Sequence, residues 1–178
     1  MGDDGTGSGS DIISGINFVV QAVASSNRPS VINLSLTTPG SQAIDEAVAN
    51  AVSFGIHVVV AAGNENTDAG EDSPARSSSV IAVGATDIND KRASFSNFGP
   101  DVNIWAPGVG IISLGNADDN AVKTLDGTSM ASPFVAGLIA YFLTLEGNVS
   151  PSSMKEKLRS ITTDSAISGL RMFIHTIL

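Results

Sequence analysis

The run Asp126-Gly127-Thr128-Ser129-Met130-Ala131-Ser132-Pro133 places a small hydroxyl residue between a turn and a long apolar stretch, FVAGLIAYFL. A serine in that position is a candidate nucleophile for acyl transfer. Gly127 permits close backbone approach, and a helix start beneath the hydroxyl offers free N–H groups and a positive dipole end, which suit an oxyanion. The same serine also reads as an N-cap or early helical residue, and spacing alone does not separate the two. A second candidate is Ala61-Ala62-Gly63-Asn64-Glu65-Asn66, where an inert strand gives way to amides. Asn64 could donate a hydrogen bond to developing negative charge while the backbone of Ala61, Ala62 and Gly63 walls a pocket. Equally, Asn and Gly are ordinary turn formers. A serine hydroxyl needs a base, and His57 and His175 are the two histidines.

The elements that would position these residues follow from hydrophobic spacing. Ile12, Ile13, Ile16, Val19, Val20 and Val23 recur at helical intervals, with Asp11 as the expected cap and a glycine-rich loop ahead of it. SVINLSL is short and β-branched, and TTPGSQ breaks it. From Ser41, the residues Ile44, Ala47, Val48, Ala51 and Val52 predict a second helix stopped by Gly55. HVVVAAG, SVIAVGA and VNIWAPG lack alternation, as expected of parallel strands covered on both faces. IISLG and AVKTL predict a hairpin. Ser129 to Leu145 predicts a helix apolar on all sides, expected inside the domain, and Ser150-Pro151-Ser152 opens a last one with Met154, Leu158 and Ile161 on one face. Strands alternating with helices at this spacing give an α/β class with a parallel sheet flanked by helices.

DGTSMASPFVAG, VVVAAGNEN, SPARSSSVIAVGATD, SFSNFGPDVNIWAPG and VINLSL together resemble the subtilisin family of serine proteases, most closely its proteinase K-like fungal branch. The resemblance runs from about residue 3 to about residue 168, so 1–178 reads as a partial peptidase domain with a divergent tail at 169–178. It implies that Ser129 is the nucleophile and Asn64 the oxyanion-hole side chain. It further implies that Ala61, Ala62 and Gly63 line the pocket for the residue before the scissile bond, and that Ser35 and Leu36 pair with a peptide substrate as an added strand. Peptide or protein substrates, a propeptide-like inhibitor and an extracellular or vacuolar location come with the family. The family's catalytic Asp and His motifs precede the region with which this chain starts, and neither is present. The expectation is a C-terminal portion lacking the family's N-terminal strands, inactive alone, with SVINLSL at an unpaired edge.

Three departures from the family pattern stand out. Phe134 replaces a histidine that is not the base. Asn103 replaces an aspartate that holds calcium together with carbonyl oxygens near Ser78 and Val80, so a weak calcium site at most is expected and no other metal or cofactor. The tail LRMFIHTIL shows neither the glycine-rich segment nor the final strand-like stretch of the family. Two other readings compete: a noncatalytic peptide- or propeptide-binding fragment, and an α/β-hydrolase in which Ser129, Asp164 and His175 follow in the order that fold uses.

Composition narrows the classes. A chain of 178 residues with 42% hydrophobic content forms one domain with a real core. A net charge of -9 without a basic cluster argues against nucleic acid. Zero cysteines exclude disulfides and thiol catalysis. MGDDGTGSGSD lacks a signal-peptide pattern, and no stretch is expected to span a membrane.

Overall fold

The structure is a computed structural model that describes residues 6–164, 167–168 and 176–177. Helix α1 (Gly9–Ser26) starts at Ser8, whose side chain accepts from Asp11 N–H while the Asp11 carboxylate reaches back to the Ser8 backbone. Asp11 is therefore the reciprocal partner in a capping box rather than the cap, and the helix begins three residues earlier than expected. The helix closes on Asn27 in the left-handed conformation, φ 51°. The chain then runs through β1 (Val31–Leu34), β2 (Thr38–Pro39), α2 (Gln42–Ser53), β3 (His57–Ala61), β4 (Asp72–Ser73), β5 (Ile81–Thr86) and β6 (Val102–Pro107). It continues with β7 (Ile111–Leu114), β8 (Val122–Leu125), α3 (Thr128–Glu146), α4 (Pro151–Ile161), β9 (Thr163–Asp164) and β10 (Thr176–Ile177).

Six strands form one sheet in the order β1-β3-β5-β6-β10-β9, in which β1, β3, β5, β6 and β10 are parallel and β9 is antiparallel. Successive residues of β3 point to opposite layers. Val58 and Val60 pack with Ile16 and Val20 of α1 and Val48 and Ala51 of α2, whereas Val59 joins Val135 and Ile139 of α3 and Met154 and Leu158 of α4. Burial on both faces explains why these strands read as unbroken apolar runs. The outer edge of β1 pairs with no strand among the described residues, as expected. A groove of about 390 Å³ follows it, lined by Ile12, Gly15 and Val19 of α1 and Ile32, Leu34 and Leu36 beside it.

Four expectations change. Helix α3 is not enclosed: its inner face is buried, but Phe134, Tyr141 and Leu145 are 58%, 60% and 63% exposed, because the sheet covers only one side of it. By length and composition alone this helix could cross a membrane, although its inner face is fitted to the sheet as a core helix is. On α4, Ile161 is exposed while Met154 and Leu158 are buried. The tail does supply a strand, since β10 pairs with β6 at Ile177 and Trp105. Its backbone satisfies the sheet's open edge without the side-chain pattern that would have marked it.

Candidate active site

Ser129 lies in the first turn of α3, and Asn64 lies in the loop leaving β3, so both emerge at the C-terminal ends of the parallel strands. One buried residue joins them. Thr128 donates its backbone N–H to Asn64 Oδ1 at 2.8 Å and its hydroxyl to the same atom at 2.9 Å. That hydroxyl also accepts the N–H of Gly63 at 3.1 Å. A backbone N–H can only donate, so the amide oxygen must face Thr128 and the amide nitrogen must face away from it. The nitrogen lies beside Gly127, near the same space as the Ser129 N–H. Asn64 Nδ2 lies 3.7 Å and the Ser129 backbone nitrogen 3.6 Å from the point where a side chain on Gly127 would begin. Gly127 has φ 154° and ψ 157°, a region reserved for glycine, and its N–H is tied to the carbonyl of Gly108 at 2.8 Å. Two N–H donors, one of them at a helix N-terminus, thus border the space that Gly127 leaves, with Met130 Sδ 3.6 Å from the same point.

The Ser129 side chain is fixed from the other direction. Its hydroxyl donates to the Ser35 carbonyl at 3.2 Å, and the Ser35 hydroxyl donates to the Ser129 carbonyl at 2.9 Å. Behind this reciprocal pair, Ser132 donates to Asn33 Oδ1 at 2.6 Å and Asn33 Nδ2 donates to the Ser35 hydroxyl at 2.9 Å. Four residues from the end of β1 and the start of α3 form one continuous relay. Leu36 follows in extended chain, half-buried at the end of the groove beside β1. Ala61 and Ala62 are buried at the end of β3, and Gly63 has φ 108° with no room for a side chain, since a Cβ there would meet Asn97 Nδ2 at 2.2 Å.

Asn97 shapes the loop that carries Asn64. Fully buried, it accepts from Glu65 N–H at 3.0 Å and Thr67 N–H at 3.1 Å, and donates to Ala62 O, Glu65 Oε2 and Asp72 Oδ2. Burial, reinforced by the neighbouring Glu65 carboxylate, raises the Asp72 pKa. Sequence reasoning did not single out Thr128, Asn97, Asn33 or Ser132. Each is a small polar residue inside a quoted motif, and only the fold reveals that its partner lies on another element.

No histidine approaches Ser129 among the described residues. His57 begins β3 at the strand end opposite Ala61, roughly 13 Å away along the strand. It is fully buried, neither ring nitrogen makes a hydrogen bond among the described residues, and burial lowers its pKa, with the Val149 backbone opposing. His175 lies outside the described residues. β8, which precedes Ser129, belongs to an exposed hairpin with β7 rather than to the central sheet, so the strand-to-serine elbow of an α/β-hydrolase is not formed.

A family model described as the Subtilase family matches residues 1–172. A subtilisin-like protease of Coccidioides posadasii (strain C735) is 46% identical over 159 residues, which cover 88% of this chain and 39% of that protein. Proteinase T of Parengyodontium album is 44% identical over 172 residues, covering 92% of this chain and 58% of that protein. The crystal structure of a cold adapted subtilisin-like serine proteinase matches with a TM-score of 0.91 and 40% identity, over 98% of this chain and 62% of that one. The chain spans less than two thirds of the length of each of these proteins.

Proposed function

Given that the chain belongs to the subtilase family, we propose that it carries the nucleophile and oxyanion part of a serine endopeptidase centre. The observation that supports this most is the forced orientation of the Asn64 amide, whose nitrogen faces the space beside the Ser129 N–H that Gly127 keeps open. In this reading Ser129 Oγ attacks the carbonyl carbon of a peptide bond, and the carbonyl oxygen becomes an oxyanion received by Asn64 Nδ2 and Ser129 N–H. Ala61, Ala62 and Gly63 wall the pocket for the preceding side chain, and Ser35 and Leu36 offer backbone to the peptide as an added strand.

The proton on Ser129 Oγ is the missing step. It is held by the Ser35 carbonyl, an oxygen that can accept a hydrogen bond but cannot take the proton near neutral pH. With no base in reach among the described residues, the chain alone turns over peptide slowly or not at all. A serine-directed phosphonate tests the reading: slow labelling at Ser129, lost in S129A, is expected. Turnover of a peptide anilide at about 1 to 10³ per second, abolished by S129A, would overturn the inactivity.

The engagement of Ser129 Oγ by a carbonyl also favours a second reading, in which the retained cleft binds peptides or a propeptide-like inhibitor without chemistry. Saturable peptide binding with no phosphonate adduct would select it.

A further inference from the structure

Lys155, in the first turns of α4, directs its ammonium beneath the segment that leads into β5. Nζ donates to the Val80 carbonyl at 2.8 Å and to the Ser78 carbonyl at 3.2 Å. No carboxylate lies within ion-pair distance of it among the described residues. Burial, with Arg159 adding and Asp101 opposing, lowers its pKa to about 8, so the group is an ammonium at pH 7. A half-buried positive charge met by converging backbone oxygens, without a carboxylate, resembles the way a chain holds a hard cation.

These are the carbonyls that the family resemblance assigns to calcium, and the residues present do not fit that ion. Asn103 is the extra residue of an irregularity in the ladder, since Ala82 faces Val102 while Val83 already faces Ile104. Its Oδ1 accepts the Ala82 N–H at 2.9 Å, the donor that the shifted register leaves over. The one acceptor atom of that side chain already accepts a backbone N–H, an amide brings no carboxylate charge, and both carbonyls already receive the lysine's N–H groups.

We propose that the Lys155 ammonium is a tethered replacement for a bound cation at the junction of the 78–80 segment with α4, which makes this part of the chain independent of calcium. A cation carried by the chain has no dissociation equilibrium, so its contribution does not vary with ion concentration as that of a bound metal does. The inference does not depend on the chemistry proposed for Ser129.

Thermal melting of the full chain across a calcium titration tests it. The chain as it stands should shift by less than about 1 °C between chelator and about 10 mM calcium. The double variant K155M/N103D removes the tethered charge and restores the carboxylate that the family resemblance assigns to the ion, at the side chain that now accepts the Ala82 N–H. It should rise by roughly 4 °C or more over the same range. A comparable rise in the unsubstituted chain would overturn the proposal, as would a folded double variant with no calcium response. Should the double variant fail to fold, amine labelling of the unsubstituted chain decides. Lys155 should react several-fold more slowly than the exposed Lys91 and Lys123, with calcium making no difference, and equal reactivity or calcium-enhanced labelling would overturn the proposal.

Discussion

Asn64 can serve an oxyanion only through the nitrogen end of its amide, and Thr128 decides which end faces Ser129. Thr128→Val keeps the shape but removes the hydroxyl, leaving the buried Gly63 N–H without its acceptor. The expected cost is about 1–3 kcal/mol in urea unfolding, together with slower phosphonate labelling of Ser129. Asn64→Ala should cost about 1–3 kcal/mol of stability, because it leaves the buried Thr128 N–H without its acceptor, and reduce turnover by roughly 10² to 10³ in a preparation that possesses activity. An unchanged rate would exclude Asn64 from the site. His57 governs a different property. Its pKa is lowered from 6.5 by burial, so the unfolded chain takes up the proton first as pH falls. The stability it contributes is complete above about pH 6.5 and is lost as the pH drops towards the lower folded value. The urea midpoint should therefore decline as the pH falls below about 6.5, and His57→Leu should flatten that decline.

The two ends of α1 show how a whole element depends on single side chains. Replacing Ser8 by Ala removes the capping box and should cost about 1 kcal/mol, measurable as a lower urea midpoint. Helices and central strands were legible because apolar spacing records which side of each element meets the core. β3 read as a continuous run and is buried along its full length, and the hairpin of β7 and β8 lies where turn residues placed it. Ser129 and Asn64 stand out as candidates for another reason: glycines and amides interrupt otherwise apolar elements at those two points. Thr128 and Asn97 do not, since their importance rests on partners tens of residues away that no local pattern records. Strand β10 was missed because one pairing with β6 is a matter of backbone, to which side-chain periodicity is blind. The outward face of α3 was misjudged because composition reports how apolar a helix is and not how many neighbours the fold provides.

At the scale of the molecule, the β1 edge of the sheet pairs with no strand among the described residues, and α3 presents a row of large apolar side chains to solvent. Both invite association. Sedimentation should show concentration-dependent self-association of the chain, and the exposed substitutions Phe134→Lys and Tyr141→Lys together should weaken it while moving the melting temperature by no more than about 2 °C. Loss of several times that would mean the row is packed in the monomer. The pair of hydrogen bonds between Ser35 and Ser129 bears on how the molecule comes to be. Ninety-four positions of chain separate the two residues. Such a contact closes a large loop, and its entropy must be met by nearer contacts already in place. The hairpin and the paired helices can form early from local sequence, whereas Ser129 acquires its setting only when β1, β3 and α3 have docked. A collapsed chain rich in secondary structure would still lack a site, so competence to react at Ser129 should be the last property to appear during refolding, behind the recovery of helix signal.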